Sequence, residues 1–310
     1  MMSKIVTLTL NPSIDKSSAF DELVPEQKIR CETPKFEPGG GGINVSRVIK
    51  KLGGESTAFF LEGGHTGQFL IELITKEGLD FKAFEIENQT RENLILVEKS
   101  KNNQFRFGME GPFVAQQEWE GILEVIEKLE GVEYLVASGS LSPGIPDDFY
   151  ARIAKIAKKK EIKLVVDTSG PALKLALEEG VFLCKPNLGE LSSLAGAKDL
   201  GISEIEEYAR PMIDSGKCEQ MVVSLGPDGA FLINKTTALH VPSPKVEKLS
   251  TVGAGDSMVA GMVFKFFVGH SAEEAVKFGV ACGSAATMNS GTELCKPEDV
   301  ERLFKEINER

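Results

Sequence analysis

The run Leu249-Ser250-Thr251-Val252-Gly253-Ala254-Gly255-Asp256-Ser257-Met258 joins a glycine-rich turn to an apolar stretch that continues to residue 268. Glycine lets a backbone turn tightly and bring its N–H groups against a phosphate, and a helix starting there aims the positive end of its dipole at the same point. An acid beside such an anion hole is placed to act as the base in phosphoryl transfer, and the dipole is expected to hold Asp256 ionised. The competing reading is a plain helix cap, a common role for Asp.

Four further motifs carry chemistry. Gly39-Gly40-Gly41-Gly42 stands just before a helical pattern that opens with Asn44. No Gly-Lys-Ser/Thr follows, so it is not a Walker A loop, and Asn44 stands where a dinucleotide fingerprint needs glycine. Asn44 can hydrogen-bond a sugar hydroxyl; a tight turn alone is the alternative. Asn11-Pro12-Ser13-Ile14-Asp15 follows the first strand-like run, where Asp15 could grip a polyol or close an Asx turn. In Lys185-Pro186-Asn187-Leu188-Gly189-Glu190, Asn187 and Glu190 have the spacing either to hold a hydrated magnesium ion over a nucleotide's phosphates or to form a capping box. The segment from Val222 to Ala230, with Gly226 and Gly229, reads as two strands joined by a glycine turn, which by itself is no sign of binding.

These motifs need a scaffold, and the pattern supplies one. Strand-like runs at 4–10, 56–60, 134–137, 163–167, 220–224 and 230–233 alternate with helix-like runs at 118–129, 147–159, 205–215, 272–288 and 297–307. From Asn44 onward Val45, Val48, Ile49 and Leu52 share one helical face, ended by Gly53-Gly54. This is the signature of an α/β sheet with helices on its faces. Two stretches, 17–37 and 91–112, break the rhythm with short strand-like pieces at 93–98 and 104–109. They predict a small sheet outside the main one, acting as a lid that keeps water from an activated phosphate, rather than long loops.

A chain of 310 residues with 42% apolar composition can bury a large core. Its net charge of −11 argues against nucleic-acid or anionic-membrane partners. Positive charge for a phosphate must then come locally, from Lys28, Arg30, Arg91, Arg106 and Lys185. The five scattered cysteines read as reduced packing residues. With no signal-peptide pattern and no membrane-length apolar run, a cytoplasmic location is expected.

Taken together, the motifs resemble the ribokinase/PfkB family of carbohydrate kinases over essentially the whole chain. The glycine block before Asn44 is similar to that family's N-terminal signature and residues 250–256 to its C-terminal one. The segments 11–15, 39–44, Arg91, Ser138-Gly139-Ser140-Leu141, 187–190 and 253–256 follow in the family's order. Within the family the likeness is greatest to the bacterial ATP-dependent 6-phosphofructokinase branch, through 28–31, 36–45, 90–94, 185–187, 222–230, 250–258 and 278–289. Sister branches acting on fructose 1-phosphate or tagatose 6-phosphate usually carry lysine in the glycine block, where this chain has Gly41.

The resemblance implies a ribokinase-like three-layer α/β/α fold with a central, mostly parallel sheet (1–16, 38–90 and 113–310) and a β-sheet lid (17–37 and 91–112) shared across a homodimer. Apolar Phe20, Leu23, Phe105 and Phe107 on the lid would supply that contact. Asp256 would accept the C1 hydroxyl proton of fructose 6-phosphate as it attacks ATP, while Gly253, Ala254 and Gly255 hold the developing charge. Asp15, Gly39, Gly40, Gly41, Asn44 and Ser140 would line the sugar, with Lys28 and Arg91 at its phosphate. Lys185, Asn187, Ser224, Gly226, Gly229, Thr251 and Ser284 would line ATP, and Glu190 would hold Mg2+ through water. A monovalent cation, K+, would take backbone oxygens around Ser250, Val252, Ala286, Asn289 and Gly291. Glu293 departs from the pattern, since close relatives tend to carry arginine there, and it bears on that ion.

Other readings remain. A tagatose-6-phosphate kinase or a 1-phosphofructokinase would use the same chemistry. A nucleoside kinase would prefer an aromatic platform. A non-catalytic sugar-phosphate-binding regulator would have no need of Asp256, and an oxidoreductase lacks its dinucleotide fingerprint.

Overall fold

The structure, a computed structural model, describes residues 3–289, 291 and 293–309. Along the chain β1 (Ile5–Thr9) is followed by β2 (Ser13–Phe20), β3 (Lys35–Gly39) and α1 (Gly41–Lys51). Next come β4 (Thr57–Glu62), α2 (Gly64–Lys76), β5 (Asp80–Glu85), β6 (Arg91–Glu98) and β7 (Asn103–Phe107). Helix and strand then alternate through α3 (Gln116–Glu127), β8 (Tyr134–Ser138), α4 (Phe149–Lys159), β9 (Lys163–Asp167), α5 (Gly170–Glu179) and β10 (Val181–Cys184). The remainder is α6 (Leu188–Ala195), α7 (Ile205–Asp214), β11 (Cys218–Ser224), β12 (Ala230–Asn234), β13 (Ala238–Val241), α8 (Ala254–Phe267), α9 (Ala272–Thr287) and α10 (Pro297–Asn308).

The α/β reading of the alternating pattern holds. A nine-stranded sheet in the order β13-β12-β11-β10-β9-β8-β1-β4-β5 is parallel from β11 to β5, and β12 alone runs against the rest, pairing antiparallel with β11 and β13. Such strands are buried on both faces, which is why β1, β8 and β10 read as continuous apolar runs. The helices α1, α8, α9 and α10 cover one face and α3 to α7 the other. The chain leaves β1 toward β4 and β5 and then returns to its other side at β8. This reversal of strand order opens a crevice at the carboxyl ends of β1 and β8, the usual ligand position in such sheets.

The irregular stretches form a second, four-stranded sheet, β3-β2-β6-β7. Its central pair, β2 and β6, is parallel, and it is flanked by antiparallel neighbours. Because β2 begins at Ser13 and β3 ends at Gly39, this lid sheet carries Asp15 and runs directly into the glycine block.

Several local expectations need correction. The helix expected from Asn44 starts at Gly41, so two glycines form its first turn, where only their lack of a side chain permits contact with β8 and β1. A methyl on Gly42 would lie 2.6 Å from the Leu8 carbonyl oxygen. Phe20 is not a docking residue: it is buried within its own chain, beside Phe105. Leu23, Phe107, Met109 and Phe113 are the exposed apolar groups there. The cysteines are free; four pack in the interior, but Cys31 is exposed. Among the described residues no helix is long and apolar enough to cross a membrane.

The helix that carries Asp256, α8, is apolar all round because α9 and the sheet enclose it, and the two helices approach through glycines. A methyl on Gly279 would stand 2.6 Å from Met262 Cγ and 3.0 Å from the Met258 carbonyl oxygen. Gly279→Val should therefore cost about 1–3 kcal/mol through overpacking, outweighing the few tenths gained in helix propensity. Urea unfolding reads this as a lower midpoint; an unchanged midpoint would show that α8 and α9 can separate freely.

Candidate active site

Gly253, in the left-handed conformation at φ 71°, caps α8, so the first N–H groups of the helix have no intrahelical partner. Asp256 lies in this first turn. Its carboxylate makes no cap hydrogen bond; it accepts one at 2.9 Å from Asn44 Nδ2, reaching across from α1. The capping reading of Asp256 is thus not what the geometry realises. Nor does the dipole dominate its ionisation: burial, with Asp167 next and Asp15 also opposing the charge, pushes the carboxyl up to about 6, although Asn44 and Lys185 pull it back.

The glycine block closes the crevice floor. Gly40 has φ 114°, a region that L side chains rarely adopt. A methyl on Gly39 would meet the Asp15 carboxylate at 2.6 Å, and one on Gly41 would lie 2.2 Å from Ser138 Oγ at the end of β8. Asp15 is buried and accepts hydrogen bonds from Ser13 Oγ and Asn93 Nδ2 at 2.8 and 3.0 Å. Asn11 Nδ2 donates to Ser140 Oγ at 3.1 Å, bridging β1 to the loop after β8. Arg91 donates to the carbonyl oxygens of Asn11, Pro12 and Met109, which uses three of its five N–H groups. Asp15, Asn44, Arg91, Ser140 and the glycines therefore surround one crevice. Lys28 is exposed in the connection between β2 and β3 and makes no hydrogen bond or ion pair to a described residue.

On the other side of Asp256, Lys185 is buried after β10 and pairs with Asp167 at 3.1 Å. Burial would lower its pKa, but Asp167, Asp256 and Glu190 outweigh that and raise it, so the ammonium stays charged. A methyl on Gly255 would sit 3.4 Å from its Nζ, which places the cation beside the N-terminus of α8. A cavity of about 890 Å3 opens from there, and Ser224, Gly226, Gly229, Thr251, Ser284 and Gly255 are among its walls. Asn187 and Glu190 form the capping box of α6, with reciprocal 2.8 Å bonds between each backbone N–H and the other's side chain.

These elements match known proteins along the chain. The family model for pfkB family carbohydrate kinases matches residues 8–299. The chain belongs to the pfkB family of carbohydrate kinases. It is 42% identical over 98% of both chains to "ATP-dependent 6-phosphofructokinase isozyme 2" of Escherichia coli (strain K12), and 34% identical over 98% of this chain and 97% of the relative to "1-phosphofructokinase" of Borreliella burgdorferi. The crystal structure of phosphofructokinase-2 from Escherichia coli with substrates and products superposes with a TM-score of 0.94 at 41% identity, covering 98% of this chain and 99% of that one. That protein has also been solved with potassium and in a tetrameric inhibited form.

A further cluster lies beside the turn that leads into α8. Ser250 Oγ donates to the Gly291 carbonyl at 3.1 Å and accepts from the Val252 N–H, while the Asn289 N–H reaches the Ala286 carbonyl. Of the five residues expected around a monovalent cation, Ser250 thus joins Val252 and Gly291, and Asn289 joins Ala286. Glu293 accepts an ion pair from Lys35 at 3.0 Å, and its carbonyl accepts from Lys51 Nζ.

One residue beside the site was missed from the sequence, and another was named there without a location. Asp167 was visible only as the end of a strand, although an acid leaving the carboxyl end of a parallel strand is itself a signal. Arg106 was one of five candidate cations without a place; its guanidinium donates to Thr251 Oγ1 at 2.6 Å, from β7 onto the turn before the anion hole.

The raised pKa of Asp256 is also a statement about stability. Its folded value of about 6 exceeds the ordinary 3.8, so stability is fully present below pH 3.8 and lost as pH rises through 6. The gap corresponds to at most about 3 kcal/mol, less what the carboxylate's solvent-accessible edge recovers. Asp256→Asn, neutral at every pH, should be more stable than the parent at pH 8 and no more stable at pH 3.5. Urea midpoints at the two pH values check this, and an equal difference at both would show that Asp256 carries no such strain.

Proposed function

We propose that this PfkB kinase transfers the γ-phosphoryl group of ATP to the C1 hydroxyl of fructose 6-phosphate, giving fructose 1,6-bisphosphate. The observation that carries the chemistry is the half-buried Asp256 carboxylate, held by Asn44 in the first turn of α8 with Lys185 on its other side. Asp256 takes the hydroxyl proton, while the free N–H groups of Gly253, Ala254 and Gly255 with Lys185 receive the charge developing on the transferred group. In a loose transition state positioning supplies most of the rate, so a weak carboxylate base is adequate.

Asp15, Asn44, Ser140 and the glycine block are assigned to the sugar, and Arg91 with Lys28 to its phosphate. The cavity beyond Gly255 fits the nucleotide. Glu190 fits a hydrated magnesium ion, because the capping box uses only one of its carboxylate's acceptor positions. The bound ion would neutralise the donor's phosphates. Backbone oxygens of Ser250, Val252, Ala286, Asn289 and Gly291 are assigned to a hard monovalent cation such as K+. The exposed lid residues Leu23, Phe107 and Met109 support a homodimer through that sheet.

The choice among sugar phosphates is supported by the higher identity to the 6-phosphofructokinase relative and by Gly41. With Ser138 Oγ 2.2 Å from where a Cβ would stand, this block has no room for the lysine usual in the sister branches. ADP release with fructose 6-phosphate, tagatose 6-phosphate and fructose 1-phosphate should give the highest kcat/KM for fructose 6-phosphate. A higher value for fructose 1-phosphate would move the assignment to the sister branch. Asp256→Asn should lose about 10²–10⁴-fold in kcat with ligand binding retained. Since the base must be ionised, kcat/KM should fall about tenfold per pH unit below the Asp256 pKa of about 6. Near-normal turnover in Asp256→Asn would remove the base from the mechanism.

A further inference from the structure

Asn44 can serve Asp256 in only one of its two amide orientations. With Nδ2 toward the carboxylate it donates; turned by half a revolution, it presents an oxygen to an oxygen. Nothing in Asn44 itself selects between these. Arg47, one turn further along α1, does. Its Nη1 donates to Asn44 Oδ1 at 3.2 Å and to the Pro38 carbonyl at 3.1 Å. Guanidinium groups have donors only, so a turned amide would set N–H against N–H at Arg47 as well as oxygen against oxygen at Asp256.

Arg47 is itself held fast. It is buried in α1, its Nε and Nη2 clamp the Glu77 carboxylate at 2.7–3.0 Å, and Nη2 lies 3.6 Å from Glu37. The line Glu77, Arg47, Asn44, Asp256 thus runs from the C-terminal end of α2 through α1 to α8. It also touches the lid strand β3 at Glu37 and Pro38.

We propose that Arg47 is a positioning residue for phosphoryl transfer: it fixes the Asn44 amide so that the hydrogen bond to Asp256 is always donated to the carboxylate. The proposal rests on the base role assigned to Asp256. Its consequence is electrostatic, because a bond donated to the charged form favours ionisation. The groups facing Asp256 are Asn44 and Lys185, which lower its pKa, and Asp167 and Asp15, which raise it. Those facing Arg47 are Glu77 and Glu37, with Lys51 on the same helix and Lys35 paired to Glu37. Without the constraint the amide can turn and accept a proton from Asp256, so the neutral acid gains.

Arg47→Lys is the discriminating variant. It keeps a buried cation for Glu37 and Glu77, yet an ammonium has no planar fork to hold Glu77 and Asn44 together. The acid limb of kcat/KM is expected to move up by about one pH unit relative to the parent. Activity should then fall about fivefold at pH 6 and little at pH 8.5, with the KM values for sugar phosphate and ATP near their parent values. Titration of the carbon-13-labelled Asp256 carboxyl by NMR reads the same shift without turnover. A uniform loss of kcat at every pH, or an unmoved Asp256 titration in a folded variant, would overturn the proposal.

Failure of the base reading looks different: Asp256→Asn would then keep its turnover while the carboxyl titration still responds to Arg47→Lys. Should Arg47→Lys not fold, Glu77→Gln loosens the clamp from its half-exposed end. It is expected to shift the Asp256 titration in the same direction by a smaller amount, and no shift there would equally overturn the proposal.

Discussion

One buried ammonium balances the acids around this site. Asp15, Asp167 and Asp256 converge on the crevice in a chain that is already strongly acidic, and Lys185 is the cation placed between the last two. The arrangement suits a base that has to stay available near neutral pH. A guanidinium paired directly with Asp256 would hold it ionised but would also depress its basicity and fill the space a hydroxyl must enter. Neutral donors do the remaining work: Asn44 toward the base, and the unpaired N–H groups of α8 toward an incoming anion. These carry no counter-charge to be displaced and need little reorganisation as charge develops.

That balance depends on close approach of backbone to backbone, which the glycine block provides. Asn44 reaches Asp256 only because α1 begins almost in contact with β1 and β8. Side chains at 41 and 42 would collide with Ser138 Oγ and the Leu8 carbonyl. The reversal of strand order between β1 and β8 opens the crevice, and the glycines let a helix N-terminus settle into it. The strand ends supply Ser138 and Asp167, while α1 and α8 supply the Asn44 amide and the Asp256 carboxylate.

What the sequence revealed follows from what is local. Both glycine blocks, Asp256 and Asn44 were legible because tight turns and helix starts are encoded by neighbouring residues. The alternation of strand and helix was legible for the same reason. The partners that give the site its electrostatics are far apart in the chain. Arg47 meets Glu77 over a separation of 30 and Arg106 meets Thr251 over 145, and no spacing rule links them. The ionisation of Asp256 was misjudged on this account, since the dipole is local while the burial of the carboxyl and its nearness to Asp167 are not. Asn187 and Glu190 show the other limit: one spacing serves both a capping box and an ion, and sequence cannot choose between them. The edge strands β5 and β13 were missed because half-exposed short runs carry little apolar signal.

The lid joins the main sheet at the places that hold Asp256. From β7, Gln104 donates to Ser250 and Arg106 to Thr251, on the turn that leads into α8. From β3, Lys35 pairs with Glu293, and the Pro38 carbonyl takes a hydrogen bond from Arg47. Each such bond contributes about 0.5–1.5 kcal/mol, and the exposed ion pair about 1 kcal/mol or less. The polar contacts of the lid are therefore individually weak, unlike the packing of α8 against α9. Their location ties the lid sheet to the surroundings of Asp256, through the turn before Gly253 and through Arg47 behind Asn44.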